Sequence, residues 1–258
     1  MPIGVFDSDS SALRNRVEVQ ERLGKLDLND WFFSNLDIIG NGQYLDLGCG
    51  VGKQCLPLAK QLDAAGRITA FDISEESLNY LASKARETGL DNTIQTIQGS
   101  LDDIDRVLAD QKFDRIYSSY AIYYASSPTY IAETVNKLIK ADGSVFFCGP
   151  RANNNLELRS LLKQLDPSVH TDATHPAKFL VELQNALEEQ FNVVEISHFD
   201  NPIEYKNMDD LLKFWRSHNS FSEVLEEKFV KIVSEICDRE GVFRNFKRAV
   251  GIRCQDPK

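Results

Sequence analysis

The chain has 258 residues, of which 42% are hydrophobic and 26% are charged, which is enough apolar sequence for a large core and excludes wholesale disorder. Its formal net charge of −10 repels phosphate groups, so the sequence predicts neither nucleic acid nor a membrane as a partner. A local basic patch of Arg244, Lys247 and Arg248 runs against this trend, and solvated surface charges explain it most simply.

The five cysteines are odd in number and widely scattered, and no Cys-x-x-Cys pair or Cys/His cluster has the spacing of a zinc site. We therefore expect reduced thiols and no bound metal. No apolar run approaches the ~18 residues of a membrane span, and the N-terminal segment lacks the pattern of a signal peptide. The sequence predicts a cytoplasmic protein.

Strands and helices alternate along most of the chain. Apolar residues at helical spacing over 15–38 predict one or two helices before the first strand. Short apolar runs bounded by turn residues then predict seven strands, at 43–47, 67–72, 93–98, 113–119, 144–148, 191–199 and 246–254. The helical stretches between them imply βαβ units, and hence an α/β fold with a seven-stranded, mostly parallel sheet and helices on both faces.

No linker divides the sequence into independent domains. We expect a single domain over 1–258, with an N-terminal helical cap over 1–40 and a binding core over 41–150. Residues 151–258 are expected to supply lid insertions on the substrate side and the last strands. Within them, two prolines and two histidines over 166–176 predict a loop.

The helix predicted after the first strand contains a proline, Pro57. A proline inside a helix costs ~3 kcal/mol or bends it, because its ring clashes with the preceding turn and it has no N–H to donate. We therefore expect this helix to start late or to bend.

The first predicted strand runs into a glycine-rich loop, Tyr44-Leu-Asp-Leu-Gly-Cys-Gly-Val-Gly52. Glycines at 48, 50 and 52 allow a sharp turn and a close approach of the backbone to a ligand. The dinucleotide fingerprint Gly-x-Gly-x-x-Gly would need glycine at position 53, where this chain has Lys53. The spacing therefore disfavours a nicotinamide cofactor.

This loop resembles the first motif of the class I S-adenosylmethionine (SAM)-dependent methyltransferases, commonly written hhDhGCGxG, and residues 45–52 match it fully. The resemblance is closest to the small-molecule type of the family. It implies a Rossmann-like sheet with an added helical lid, and SAM bound over the glycine loop. The cofactor-binding residues that it implies here are Asp46, Gly48, Cys49, Gly50 and Gly52. Asp46 would order the loop or contact the methionine amino group.

A second segment that matches the family is Ala70-Phe-Asp-Ile-Ser74. It places Asp72 at the end of the second strand, where an acidic side chain accepts hydrogen bonds from ribose hydroxyls. Ile73 would then pack on the adenine face. The alternative for Asp72 is a helix N-cap, but Ser74 already offers that cap.

A third match covers Gln98–Asp103. In the family this loop contacts adenine, which implies cofactor contacts from Ser100, Leu101 and Asp102. Ser100 stands where the family more often has aspartate. Asp103 is an equal alternative to Asp102, and either carboxylate would serve as well as a helix cap.

The fourth strand and the aromatic residues after it, Phe113–Tyr124, match the family's fourth motif. Ser118 and Tyr120 are expected beside the sulfonium, where an aromatic face stabilises a cation. The catalytic candidates are Tyr120 and Tyr123, together with His175 as a base. Core or lid packing is the alternative for Tyr123, and it is favoured for Tyr124.

The base is the least determined part of the site. His175 lies in the predicted lid loop, and a surface histidine is the alternative interpretation; His170, His198 and His218 are the other histidines. Arg151 follows the fifth strand and would hold an acidic group of the substrate, or lie at the surface as a solvated charge. Arg14 or Arg16 would pair with the methionine carboxylate.

The sequence thus predicts SAM-dependent transfer of a methyl group to an oxygen or nitrogen atom of a small-molecule metabolite. Its partner would be that methyl acceptor, and a homodimer stays open. Two alternatives remain: an RNA or protein methyltransferase, and a non-catalytic SAM-binding partner or sensor protein.

Overall fold

The computed structural model describes residues 18–109, 111–169, 174–218 and 220–258. Its strands are β1 (Gln43–Leu47), β2 (Arg67–Asp72), β3 (Ile94–Gln98), β4 (Phe113–Ser119), β5 (Ile139–Pro150), β6 (Phe191–Tyr205) and β7 (Phe243–Pro257). They form one sheet in the order β3-β2-β1-β4-β5-β7-β6. The pairs among β1 to β5 are parallel and β7 is antiparallel to β5, which confirms the predicted sheet.

Helices connect the strands. They are α1 (Leu28–Leu36), α2 (Cys55–Ala59), α3 (Glu75–Glu87), α4 (Ile104–Val107), α5 (Pro128–Leu138), α6 (Leu156–Leu165), α7 (His175–Gln190), α8 (Met208–Arg216) and α9 (Glu226–Glu240). Residues 18–23 are also helical. Short 3-10 turns occupy Leu101–Asp103, Ile122–Tyr124 and Glu223–Leu225.

Successive residues of the central strands enter different cores, because side chains alternate between the two faces of a sheet. On β4, Ile116 packs in a core shared with α5 and α7, whereas Tyr117 packs in a core shared with α1, α2 and α3. On β1, Leu45 and Leu47 belong to the first core and Tyr44 to the second. Asp46 therefore points towards α2.

Pro57 lies at the third residue of α2, a helix of only five residues. The first residues of a helix have no N–H partner within it, so proline costs little there. The predicted late start of this helix is confirmed. Residues 51–54 are hydrogen-bonded turn instead.

The last three strands are longer than the sequence pattern predicts. β5 already begins at Ile139, and its register with β4 shifts between Phe113 and Arg115, whose partners are Ile139 and Ser144. Asp142 and Gly143, which precede the predicted strand 144–148, therefore lie in an irregularity within β5. β6 extends six residues beyond the predicted end, from 199 to Tyr205.

The chain folds into two compact units. The core unit comprises Leu28–Ala152, Thr174–His198 and Ala249–Lys258, and the accessory unit comprises the described residues up to Asp27, of Asn153–Ala173 and of Phe199–Arg248. The accessory unit has its own apolar core, in which Trp215 packs on Phe229 with ring centroids 4.1 Å apart. The boundaries of these units differ from those expected within a single domain, which were after residues 40 and 150. The single-domain organisation stays a prediction.

Candidate functional site

The glycine loop lies at the carboxyl end of β1, next to the end of β2. Gly48, Gly50 and Gly52 have φ angles of 78°, 51° and 87°, a region that favours glycine. The N–H groups of Gly48 and Cys49 both donate to the carbonyl oxygen of Phe71, at 2.8 and 3.1 Å. The loop is thereby fixed against β2.

The three glycines face different surroundings. A Cβ at Gly48 would lie 2.2 Å from Cβ of Ala121, and one at Gly52 would lie 2.4 Å from Leu81, so both positions are closely packed. A Cβ at Gly50 would meet nothing within 4 Å. The backbone at Gly50 thus faces open space, into which a side chain would project.

Asp72 joins this loop to the helix that follows β2. One carboxylate oxygen accepts the N–H of Gly50 at 2.8 Å, and the other accepts the N–H of Ser74 at 2.8 Å. The N-cap of α3 is Ser74, whose hydroxyl accepts the N–H of Ser77, so the alternative of Asp72 as the cap is wrong. Each carboxylate oxygen keeps further capacity to accept a hydrogen bond.

An apolar surface continues from Asp72. Ile73 has 69% of its surface exposed although it directly follows a buried strand, and Val51 of the glycine loop is also exposed. Gln98 donates to the Ile73 carbonyl oxygen at 3.2 Å, which fixes the backbone at this point. An exposed isoleucine beside a hydrogen-bonding carboxylate suits a flat ligand that has both an apolar and a hydroxylated part.

Beneath the loop, Asp46 lies in the core with only 2% of its surface exposed. The Cys55 thiol donates to its carboxylate at 2.9 Å, and Tyr117 also contacts it. Burial raises the pKa of Asp46 to about 7, although these hydrogen bonds lower it in part. Cys49 lies in the same cluster, where its side chain interacts with that of Cys55.

In the loop after β3, the polar side chains bind other groups of the protein. The Ser100 hydroxyl accepts the N–H of Asp102 at 3.2 Å and caps the 3-10 turn, while Leu101 packs partly buried against the core. One carboxylate oxygen of Asp102 accepts both the N–H and the hydroxyl of Ser126, at 2.8 and 2.9 Å. Asp103 pairs instead with Arg106 at 3.2 Å. Asp102 thus braces this loop against the segment after β4, and its adenine contact stays a prediction.

The side chain of Ser118 links two neighbouring strands of the sheet. It is fully buried, and its hydroxyl donates to the carbonyl oxygen of Leu47 at 2.6 Å. Ser118 therefore ties β4 to β1, and its expected place beside the sulfonium stays a prediction. Ser119, one residue later, contacts the Cys148 thiol at 3.5 Å.

Three tyrosines follow β4. Tyr120 has a left-handed φ of 57°, a strained backbone at the carboxyl edge of the sheet, and burial raises the pKa of its hydroxyl well above the usual range. Tyr123 is 7% exposed and packs in the core, whereas Tyr124 is 65% exposed. Core packing is therefore not the role of Tyr124, although its ring contacts that of Tyr123 with centroids 5.0 Å apart. The neighbouring ring of Tyr123 has that role.

His175 is the first residue of α7 rather than part of a loop, because the helix begins two residues earlier than the apolar pattern. Its ring is exposed and stacks on Phe179, with centroids 6.2 Å apart. Its role as a base stays a prediction. Arg14, Arg16 and His170 lie outside the described residues.

The basic patch of Arg244, Lys247 and Arg248 is largely neutralised within the accessory unit. Arg244 pairs with Glu204 at 3.1 Å, and Arg248 pairs with Glu157 at 2.6 Å and Asp200 at 3.4 Å. Lys247 is buried. These charges therefore make poor phosphate contacts.

Two cavities in the described residues lie away from the glycine loop. One of about 620 Å³ is lined by Arg216, Phe221, Glu223, Glu226, Glu227 and Val230 in the accessory unit. The other, of about 460 Å³, lies at the amino ends of β1 to β4, where Arg67 and Lys112 contribute. Within the same residues no cluster of His, Cys, Asp and Glu has metal-binding geometry, and no helix is long and apolar enough to cross a membrane.

Sequence reasoning missed three residues of this site. Ala121 and Leu81 close against Gly48 and Gly52, and Cys55 donates to Asp46. Ala121 and Leu81 carry no polar group that would mark them. A cysteine three residues beyond a glycine loop carries no signal of its own, since its partner is set by the direction of α2.

The chain is similar to known proteins in sequence and in fold. A family model described as "Methyltransferase domain" matches residues 39–207. The demethylmenaquinone methyltransferase of Lactobacillus johnsonii is 28% identical over 120 residues, which cover 45% of this chain and 48% of that protein. The glycine/sarcosine/dimethylglycine N-methyltransferase of Actinopolyspora halophila is 23% identical over 214 residues, 82% of this chain and 35% of that protein.

The chain therefore spans about half or less of the length of these curated relatives. Among solved structures, one from Bacillus halodurans assigned as a methyltransferase superposes with a TM-score of 0.61. That match has 16% sequence identity and covers 90% of this chain and 99% of the other, so it bears on the fold alone.

Proposed function

Because the chain belongs to the methyltransferase-domain family, we propose that it transfers the methyl group of SAM to an oxygen or nitrogen atom of a small-molecule acceptor. The observation that carries this proposal is Asp72. Its carboxylate holds the Gly50 N–H and the Ser74 N–H at once, and so fixes an open glycine loop beside the exposed Ile73.

These residues fit the cofactor. Gly50 leaves open space above the backbone, Asp72 can accept hydrogen bonds from ribose hydroxyls, and Ile73 offers an apolar face for adenine. Asp46, Gly48, Cys49 and Gly52 would shape the loop from below, and Leu101 and Asp102 would bound the adenine side. When bound, SAM supplies an electrophilic methyl group on a sulfonium.

On the acceptor side, the protein needs to align a nucleophile, exclude water and take up a proton where the acceptor loses one. Burial keeps the Tyr120 hydroxyl protonated near neutral pH, so we assign it as a hydrogen-bond donor and not as the base. Tyr123 would support it from the core, and His175 is the proposed base.

The class of acceptor rests on charge and on the relatives. Both curated relatives are named for small-molecule acceptors, and the chain has a net charge of −10 with its basic patch paired to carboxylates. These observations favour a small metabolite over RNA. A cytoplasmic location belongs to the same proposal, and so does a small-molecule acceptor as the main partner, with a homodimer left open.

Calorimetric titration with SAM and with S-adenosylhomocysteine (SAH), and with NAD as the control ligand, tests the cofactor assignment. We expect saturable binding of both adenosyl ligands and none of NAD. Asp72→Asn is expected to weaken SAH binding by about tenfold to a hundredfold, because the negative charge is lost and one of the two accepting oxygens is replaced by an NH2 group that cannot accept. The exposed Asp91→Asn is the matched control and should bind as the wild type does.

Turnover is tested separately, with SAM labelled in its methyl group and a panel of small hydroxyl and amine acceptors. Label that moves to an acceptor supports the enzyme. SAH binding without transfer to any small acceptor, RNA or protein would instead support the non-catalytic sensor. A well-folded protein that binds neither adenosyl ligand would contradict the proposal as a whole.

A further inference from the structure

Two cysteines meet directly beneath the glycine loop. Cys49 belongs to the loop and Cys55 is the first residue of α2, and both pack in the same buried cluster, where their side chains interact. The hydrogen bonds from Gly52 N–H to Cys49 oxygen and from Leu56 N–H to Gly52 oxygen, both 3.0 Å, hold the intervening turn. Both thiols are free in the structure.

A carboxylate completes the cluster. The Cys55 thiol donates to Asp46 at 2.9 Å, and the Tyr117 hydroxyl lies 3.9 Å from the Cys55 sulfur. Asp46 is therefore placed to take the proton from Cys55 when that sulfur acts as a nucleophile. Of the other buried cysteines, Cys254 packs in the opposite core, and Cys148, which borders the same core as Cys49 and Cys55, donates its thiol to the Ser119 hydroxyl at 3.5 Å.

We propose that hydrogen peroxide converts Cys49 and Cys55 into a reversible disulfide, and that this disulfide weakens cofactor binding at the glycine loop. This regulation rests on the proposed function, because the affected ligand is the adenosyl cofactor.

The chemistry balances in two steps. The Cys49 thiol, which has 6% of its surface exposed whereas Cys55 has none, reacts with peroxide to give a sulfenic acid and one water. The Cys55 sulfur then attacks the Cys49 sulfur, the S–O bond breaks, and a second water leaves as Asp46 passes on the proton. Two thiols are oxidised to one disulfide and one peroxide is reduced to two waters, and a dithiol reductant reverses the change.

The disulfide would act on the loop in two ways. It draws Cys49 towards α2, because bonded sulfurs lie ~2.05 Å apart, and Cys49 directly precedes the Gly50 N–H that Asp72 holds. It also removes the Cys55 donor from the buried Asp46 carboxylate, which then loses a hydrogen bond that it cannot replace with water. The pKa of the Cys49 thiol is raised, because its hydrogen bond with Cys55, which lowers the pKa, is outweighed by burial together with nearby carboxylates, so we expect slow oxidation by peroxide at neutral pH.

The test treats the whole protein with peroxide, then measures the intact mass, maps the linked peptides and titrates SAH, before and after reduction with dithiothreitol. We expect a mass lower by two hydrogens, a cross-link between the peptides that carry Cys49 and Cys55, and SAH binding at least about tenfold weaker that recovers on reduction.

Two variants isolate the pair, each compared with itself before and after peroxide. Cys55→Ser keeps a donor for Asp46 but cannot form the bond, so its SAH affinity should not respond. Cys237→Ser removes a partly exposed thiol elsewhere and should respond as the wild type does.

Three results would overturn the inference: oxidation that stops at Cys49 without a cross-link, a cross-link to Cys237, or a Cys49–Cys55 disulfide that leaves SAH affinity unchanged. If the reduced protein binds no SAH at all, the proposed function fails instead, and the mass measurement still decides whether the disulfide forms.

Discussion

Asp46 is a carboxylate that the fold holds away from water, and its protonation is coupled to stability. Its pKa is raised to about 7 in the folded protein, from an ordinary value of 3.8. The folded state therefore binds more protons than the unfolded state between these values, so Asp46 makes stability fall as pH rises from 4 towards 7. Above pH 7 the ionised group costs about 4 kcal/mol, at ~1.36 kcal/mol per pKa unit.

Asp46→Asn removes this titration while keeping the shape of the side chain. We expect the variant to gain about 2–3 kcal/mol over the wild type on going from pH 5 to pH 8, measured by urea unfolding at both values. The exposed Asp91→Asn should show no such gain. An equal pH dependence in Asp46→Asn and the wild type would mean that Asp46 is not the titrating group.

Ile73 presents the opposite situation, an apolar side chain held in water. Ile73→Ala removes little buried surface, so the free energy of unfolding should change by less than about 0.5 kcal/mol. If Ile73 packs on adenine, the SAH dissociation constant should rise by about tenfold, because apolar area covered by the ligand is lost. Val224→Ala, at another strongly exposed position, is the control and should leave binding unchanged.

In the glycine loop, we expect substitutions at different glycines to affect either the stability of the fold or the affinity for SAH. Gly48→Ala combines backbone strain at φ 78° with a contact of 2.2 Å to Ala121, so it should destabilise by more than the ~1–2 kcal/mol of strain alone. Gly50→Ala should destabilise the fold by the backbone strain alone, because its Cβ would contact nothing within 4 Å. Its methyl group would project into the open space of the loop. This variant should fold with modest loss and bind SAH at least about tenfold more weakly.

Gly89→Ala is the matched control for Gly50→Ala. Its φ is 70° and its Cβ would also meet nothing within 4 Å, but it lies at the end of α3 and not in the loop. Urea unfolding and SAH calorimetry on all three variants check the prediction. Equal SAH affinities for the Gly50 and Gly89 variants would show that the space above Gly50 is not used by the ligand.

Elements with strong local signals were predictable from the sequence. β1, β2 and β4 begin and end at the predicted residues, since each is a buried apolar run whose ends are marked by turn or charged residues. The sequence predicts β6 too short because the last six residues of this strand depend on distant partners. Glu204, near its end, pairs with Arg244, 40 residues later. The local periodicity of the sequence does not indicate such a pairing.

The same distinction between local features and distant partners applies to the candidate site. The glycine loop, Asp72 and Ser74 follow from spacing, because a turn and a helix cap are local features. Ser118 and Asp102 were given cofactor contacts, but the partners of their side chains are Leu47 and Ser126, which are 71 and 24 residues away. The sequence places such residues near the site without determining where their polar atoms point.

For the whole molecule, charge and architecture act on different properties. The net charge of −10 disfavours polyanionic partners through its long-range field, and it says nothing about the fold. The parallel order of β1 to β5 brings the carboxyl ends of β1, β2 and β4 to one edge, so that the glycine loop, Asp72 and Tyr120 lie along it. The proposed cofactor site lies along this edge, in the core unit, and the accessory unit has an apolar core of its own.

Ligand binding at this edge should therefore stabilise the core unit. At 100 times its dissociation constant, SAH adds about 2.7 kcal/mol of stability, which corresponds to a rise in melting temperature of ~5–10 °C for a domain of this size. NAD should produce no rise. If the two units melt in separate transitions, only the transition of the core unit should move, because the glycine loop, Asp72 and Ile73 all belong to it.

Hydrogen exchange locates this stabilisation on the chain. With SAH, we expect the amides of 48–52, 73 and 101 to exchange more slowly than in the free protein, and those of α9 to exchange no more slowly than global stabilisation requires. Protection that spares the glycine loop, or that is strongest in the accessory unit, would place the adenosyl site elsewhere, even if the melting temperature rises. The two measurements together thus distinguish binding at the loop from binding anywhere on the molecule.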